Sequence, residues 1–509
     1  SRAEGRTEGI HMNKTSGKRQ TMNIKGNVDI TSVNTVGGYA LGAFANGLAD
    51  LHVTGGFKAH VDGQNVDGQN VDAGGGPLSA SAVYASGLMS GKEGAAQVVI
   101  DGDLDLSGNA NGLTANIGGA SIEVNGGRIE MNQDNTLGFA ALRASNGMIS
   151  LNTKSSNGEV VSAGNKVEIR GNVVASTSAV NQADTYGTST SIRLGLDTED
   201  SSLEGVIYNA FGDGVKAGNL TFTGETNLWL SNGAAWKNHT YGKITQSDYG
   251  NGGNAFGGSV VTNFQGGKTQ EKAGHIFQLD DNDLTIGNYS GFTNIYFAHN
   301  NDGSSIDDYN VGDVIIQKAA AGSSVTLITD QTGLADGFDD AKALQVLQAL
   351  AGKLTYGAYA TDQNLVGSVQ IASGLTAGAK TLKSGAVSFG TDGKGNCVKL
   401  DGADTPDVPG KPSKTEFSSA ITGDTAADTE YAGNIKEGEY IFDADTTVTA
   451  TGISAAAITK ASTIDAGGHT LTLTAKGGDY SKSTPVLQVS ATGTTTITAG
   501  TVKVDGTAY

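Results

Sequence analysis

The sequence predicts an all-β protein whose short strands stack coil upon coil as a β-solenoid. Three observations carry that expectation. Glycine supplies 76 of the 509 residues, while proline supplies 5 and aromatic residues 6%. Ordinary chains hold about 7% glycine, so this one is rich in tight corners and poor in the material of a large aromatic core. Phrases recur: NIKGNVDI at 23–30 returns as VIDGDLDL at 99–106 and EIRGNVVA at 168–175. Within each phrase apolar residues fall at alternate positions, the period of a strand with one buried face.

In that first phrase Ile24, Gly26 and Val28 share parity, as do Ile100, Gly102 and Leu104, and again Ile169, Gly171 and Val173. Two further phrases repeat. ANGLADLHV (45–53) is answered by ANGLTANI (110–117) and SNGMISLNT (145–153), and VTGGFKAHV (53–61) by VNGGRIEMN (124–132) and DAGGHTLTLT (465–474). Asn-Gly and Gly-Gly tolerate positive φ, which a corner between strands requires. The same pairs make ordinary hairpins. Their return every several tens of residues, with no helical stretch between, favours coils that pair in parallel with their predecessors. At about 20–25 residues per coil, 13–333 holds roughly 13–16 coils in a rod some 60–75 Å long. Inward Ile, Val, Leu and Ala are expected to form apolar columns, and Asn, Ser and Thr hydrogen-bonded ladders.

Taken in order, residues 1–12, SRAEGRTEGIHM, read as an expression leader ending in a cloning-site His-Met and are set outside the fold. The β-helix is expected over 13–283 and a cap over 284–333. A small α+β module follows at 334–405. There DDAKALQVLQALAGKL offers Asp339 or Asp340 as N-cap and places Leu344, Leu347 and Ala351 on one helical stripe, with Leu350 beside them. Pro406, Pro409 and Pro412 mark a semi-rigid linker at 406–412. A second β-repeat segment occupies 413–509 and stops in mid-pattern at Tyr509, as expected of a chain cut from a longer protein. Loops are expected at 61–80, 152–166, 180–204 and 238–258, where alternation is lost. In the first of them the five-residue repeat of VDGQNVDGQNVDAGGG (61–76) would flip strand parity at each copy.

The 33 Lys and Arg against 52 Asp and Glu give a net charge of −19 without any long block of one sign. That balance disfavours nucleic acid and anionic membrane as partners and keeps an elongated surface soluble. A single cysteine, Cys397, excludes an intramolecular disulfide and a Cys-based zinc site. No run approaches the ~18 apolar residues that a membrane helix needs.

LTIGNYSGFTNIYF (284–297), followed by GDVIIQKAAAGSSVTLIT (312–329), resembles the cap that closes the β-helical passenger of pertactin-like autotransporter adhesins of Gram-negative bacteria. NLWLSNGAAWKN (227–238) and SVVTNFQGG (259–267) are similar to the last coils before that cap. The resemblance implies a right-handed parallel β-helix exported to the bacterial cell surface and anchored to the outer membrane through a region outside this chain. It implies adhesion, biofilm formation or aggregation, with host or bacterial cell-surface glycans or proteins as partners and self-association among the possibilities. In that family a transmembrane β-barrel follows the cap, whereas here a helix, a linker and further repeats follow. A polysaccharide-degrading β-helix and a passive stalk are the alternatives.

Candidate site residues carry two readings each. Asp101, Asp103 and Asp105 are expected on one strand face at about 6.6–6.8 Å intervals, suited to Ca²⁺ or an Arg-rich partner, or simply a solvated face. Asp280, Asp281 and Asp283, and Asp302, Asp307 and Asp308, lack both EF-hand order and the β-roll nonapeptide. Glycan cleavage needs two carboxylates about 5–9.5 Å apart in a groove, a spacing that any alternating acidic strand meets. The chain has no HExxH, no GDSGS-type nucleophile motif and no complete phosphate loop at GKGNC. No catalytic, cofactor or metal residue is assigned. Tyr208, Phe211, Phe222, Trp229, Trp236, Tyr241, Tyr249 and Phe256 cluster within fifty residues, as a binding platform or as core filling. The alternation of Trp229 with Leu228 and Leu230 is read as filling.

Overall fold

The computed structural model describes residues 5–34, 38–63, 80–87, 94–131, 139–176, 190–209, 224–241, 258–298, 311–329, 340–357, 364–371, 383–390, 392–397 and nine strands between 429 and 507. The protein is all-β with long parallel sheets. It divides into two compact units. The first comprises Ser1–Leu334, Ala349–Ser368 and Phe389–Asn396, and the second Ala335–Gln348, Val369–Ser388 and Cys397–Tyr509.

In the first unit the chain visits three sheets in turn. The first sheet runs Gly5–Lys14, Gly38–Gly47, Ala80–Ser86, Asn111–Asn116, Ala140–Ser145, Asn172–Ser176 and Ile207–Asn209. The second starts with Gln20–Ile24, Ala49–Val53 and Gln97–Ile100 and continues through eleven strands to Leu354–Tyr356. The third starts with Val28–Asn34, Phe57–Gly63 and Leu104–Gly108 and continues to Phe292–Phe297 and Ser323–Thr329. Each strand pairs in parallel with the one a full pass earlier, as Val28 with Phe57 and Phe57 with Leu104. By register a pass takes 23 residues from Leu104 to Gly127 and 25 from Gly258 to Asp283, within the 20–25 expected, but 29 from Leu113 to Leu142 and 47 from Phe57 to Leu104. One corner carries an antiparallel hairpin, Thr153–Ser156 with Glu159–Ser162, turning through Asn157 and Gly158 at positive φ. Eleven strands at about 4.8 Å make the second sheet about 48 Å long, not 60–75 Å.

Apolar columns form as expected. Ile24, Val53, Ile100, Val124, Leu151, Leu194 and Leu228 succeed one another along the second sheet. Along the first, Ala45, Ala85, Ala115, Ala144 and Ala175 are all fully buried. The recurring phrases are corners, but not one particular corner. NIKGNVDI and VIDGDLDL join the second sheet to the third, whereas EIRGNVVA joins the third to the first through Gly171 at φ 135°. A corner's demand for compact backbone is the same whichever sheets it links. At the first two the glycines stack. A Cβ on Gly55 would stand 2.4 Å from the Gly26 carbonyl, and one on Gly102 2.3 Å from the carbonyl carbon of Gly55.

Residues 5–12 of the expected leader lie in a strand. Gly5–Lys14 pairs with Gly38–Gly47 from Gly5↔Gly38 to Lys14↔Gly47, and Met12 is buried opposite Ala45. EGIHM carries strand alternation of its own, with Ile10 and Met12 at alternate positions. The expected loop 180–204 likewise contains two strands, Thr190–Leu196 and Ser202–Glu204, with Ile192, Leu194 and Leu196 buried. Most of 61–80 and 238–258 lies outside the described residues.

Among the described residues the first sheet gains no strand after Ile207–Asn209. Its last edge is closed by side chains: the Ile207 N–H donates to Ser259 Oγ at 3.0 Å, and Asn209 Nδ2 donates to the Gly224 carbonyl at 2.9 Å. From Gly258 each pass has two strands among the described residues, Gly258–Gln265 with Gly274–Gln278, Asp283–Ser290 with Phe292–Phe297, and Val314–Ala319 with Ser323–Thr329. The change precedes the boundary expected at 284. Buried Phe264, Tyr289 and Phe297 fill this stretch, where alanine lined the first sheet.

The helix is Asp340–Gly352, so an N-cap at Asp339 lies outside the described residues and Asp340 is already helical. Ala343, Val346, Leu347, Leu350 and Ala351 are buried while Leu344 is only half-buried, because the stripe at 3.6 residues per turn centres on 347 and 350. Leu354–Tyr356 then pairs with Val314–Ala319, so the second sheet resumes inside the span assigned to a separate module. The 406–412 linker lies outside the described residues. The second unit repeats the parallel theme in three small sheets. One holds Thr429–Ala432, Thr446–Thr451, Thr470–Lys476 and Thr501–Thr507; another holds Glu439–Ile441, Thr463–Asp465 and Thr496–Thr498; Ala456–Lys460 pairs with Leu487–Thr492.

Candidate functional surface

Parallel stacking turns each outward position into a column. On the third sheet the columns alternate in charge. One runs Asp29, Lys58, Asp105, Arg128, Glu168, and the next Glu130, Arg170, Glu204, Lys237. Arg170 lies 3.0 Å from Glu130 and 3.4 Å from Glu204, Arg128 lies 3.7 Å from Asp105, and His239 lies 3.5 Å from Glu204. Arg128 also contacts Glu130. A depression of about 220 Å³ over these residues is therefore filled with charges that already have partners.

The second sheet presents a different face where the last three-sheet pass meets the two-strand stretch. Asn227, Asn263 and Asn288 are in register on successive strands. Asn263 Nδ2 donates to Asn227 Oδ1 at 2.8 Å and to Glu225 Oε1 at 3.0 Å, and Asn288 Nδ2 donates to Asn263 Oδ1 at 2.8 Å. Beside this amide row stand Trp229 and Gln265, paired in register, then Ser290. Together with Lys318 they border a groove of about 410 Å³. Trp229 is half-buried and its indole N–H has no hydrogen-bond partner. One strand away the base of the 153–162 hairpin packs on Gly195, where a Cβ would meet the Asn152 carbonyl oxygen at 2.3 Å. Gly195 pairs with Trp229, so the open face begins at the indole.

Trp229 corrects the sequence reading. Leu228 and Leu230 are buried, so a residue between them points outward; alternation argued against core filling. Trp236 does fill the core, donating from Nε1 to the Gly205 carbonyl at 2.8 Å, and Tyr208 and Tyr241 are buried. Phe211, Phe222, Tyr249 and Phe256 lie outside the described residues. TNLW, TNFQ and GNYS each place Asn before an apolar or aromatic residue, at 227, 263 and 288, but their unequal spacing hides the row in the sequence.

Asp101, Asp103 and Asp105 do not share a strand face. Gly102 bends the chain between Gln97–Ile100 and Leu104–Gly108, and Asp101 turns to His52 at 2.6 Å while Asp105 faces Arg128. Asp280 accepts from the Thr240 and Asn282 N–H groups at 3.0 Å. Asp283 accepts from the Asp313 N–H at 2.8 Å, and its burial pushes the carboxyl above the usual range. Asp302, Asp307 and Asp308 lie outside the described residues. Among the described residues no group of three or more His, Cys, Asp or Glu is placed to hold a metal ion. Cys397 is buried. No protein-family model, curated protein or solved structure matches this chain.

Proposed function

We propose that the chain is a right-handed parallel β-helix, a β-solenoid, displayed on a bacterial cell surface as an adhesin of the autotransporter passenger type. The fixed order in which it visits three parallel sheets supports the solenoid, and the resemblance over 225–333 supports the family. The observation that carries the function is the groove along Asn227, Asn263 and Asn288. Its amides are held by one another on rigid strands, so a ligand meets groups that lose little freedom on binding. Repeated copies on a cell surface then add avidity to weak single contacts. Its partners on this reading are cell-surface glycans or proteins of host or bacterial cells, or further copies of itself. Glu130 and Glu204, which line the depression on the third sheet, each sit against arginine, which favours binding over acid–base catalysis there.

The test is saturable binding of the labelled chain to bacterial and epithelial cells, with a reducing-sugar assay on mixed polysaccharides alongside. Saturable binding without released sugar is expected. Released reducing ends would replace this reading with a polysaccharide-degrading enzyme, and a folded chain that binds no cells would be a passive stalk.

A further inference from the structure

We infer that the groove on the second sheet binds a neutral, extended polysaccharide lying across the strands, with one sugar ring against Trp229 and its neighbours along the amide row. The inference rests on the reading of this face as a binding surface and adds its ligand class.

Charge argues for neutrality. The three amides are uncharged, Arg193 and Lys318 stand in register at the two ends of the row, Glu225 accepts from the middle amide, and the chain's net charge of −19 repels polyanions. Hydrogen bonding argues for hydroxyls. The pairings within the row leave Asn227 Nδ2 and Asn288 Oδ1, a donor and an acceptor, as the groups it presents outward. A sugar hydroxyl both donates and accepts, so it matches either end. An aromatic face beside such amides covers the C–H face of a pyranose ring. Spacing argues for a chain, since successive amides lie one strand interval apart, about 4.8 Å, close to the advance of one ring along an extended glycan. A peptide would recruit backbone groups at a sheet edge. Here the groove lies on a face, where the strands' own N–H and C=O groups pair with each other.

The chain has two tryptophans, and Trp236 is sealed in the core, so ligand-dependent fluorescence reports Trp229. Emission is followed while the whole chain is titrated with pentamers of β-1,4-glucan, β-1,3-glucan, α-1,4-glucan and mannan, with heparin as the charged comparison. At least one neutral pentamer should shift the emission saturably, and the shift should vanish in Trp229→Phe. Asn263→Ala should weaken binding about tenfold, because it frees Asn227 and Asn288 from the amide that holds them in place. Asn288→Ala, at an exposed end of the row, is the second variant should Asn263→Ala not fold. Arg170→Ala, on the other sheet's outer face, should bind as the parent does. No saturable shift with any neutral pentamer, or a shift with heparin alone, overturns the inference. Cell binding that survives Trp229→Phe also overturns it while leaving the adhesin reading intact. Pentamer binding without cell binding does the reverse.

Discussion

The third sheet up to Lys237 and the two-strand passes from Gly258 onward use one geometry for opposite chemistries. In the former, neighbours in a column carry opposite charges, Asp29 to Glu168 in one and Glu130 to Lys237 in the other. In the latter, like sits on like: amide on amide from Asn263 to Asn288, continuing the row that Asn227 begins one strand earlier, and ring on ring where Phe277 and Tyr296 stack at 4.9 Å and Phe264 and Tyr289 at 5.5 Å. Parallel register places each residue about 4.8 Å from its counterpart, so only groups that tolerate a copy of themselves can repeat. Amides and rings do; charges must alternate. The alternating face neutralises itself, whereas the repeating face keeps hydrogen-bonding capacity at its ends, which makes the two-strand stretch the better binding surface.

The most forceful way to break this comparison is at the junction of the two regions. Trp236→Ala, in the last three-sheet pass, should cost about 3–5 kcal/mol through its cavity and the orphaned Gly205 carbonyl, read as a lowered urea midpoint. Next comes the glycine stack of the three-sheet region. Gly55→Ala should cost about 1–3 kcal/mol, since its Cβ would collide with Gly26 backbone; an unchanged melting temperature would mean that the corners are not stacked as described. The ionic columns are weaker. Arg170→Glu should destabilise by about 1 kcal/mol at low salt, and the loss should fade toward 1 M salt, while the stability effect of Asn263→Ala should not depend on salt. The smallest effect belongs to His275 in the two-strand stretch, whose imidazole is held below its ordinary pKa by burial. A folded-state pKa below the unfolded one means stability present above pH ~6.5 and lost as pH falls through the lowered value. His275→Gln should flatten that acid slope in a pH series of thermal melts, and an unchanged slope would place the titration elsewhere.

The sequence was most informative where chemistry is local. Corners such as Gly26, Gly55 and Asn146 announced themselves through residues that accept unusual backbone. It misled where one motif serves several geometries: EIRGNVVA and NIKGNVDI look alike yet turn between different sheets, and IDGDLDL looks like one strand although Gly102 bends it. It was silent on the amide groove because Asn227, Asn263 and Asn288 are separated by 36 and 25 residues of unequal loop and strand, so no fixed period links them.

By itself the sequence determined that strands are short, that one parity of each is apolar, and that glycine and asparagine make the corners, since all three follow from interactions within a few residues. Only the tertiary structure decided how long each pass is, which strand lies beside which, and where three sheets become two. Those depend on parallel pairing between residues some thirty positions apart, and it is this pairing that puts Trp229 on an outer face and lines up three asparagines beside it.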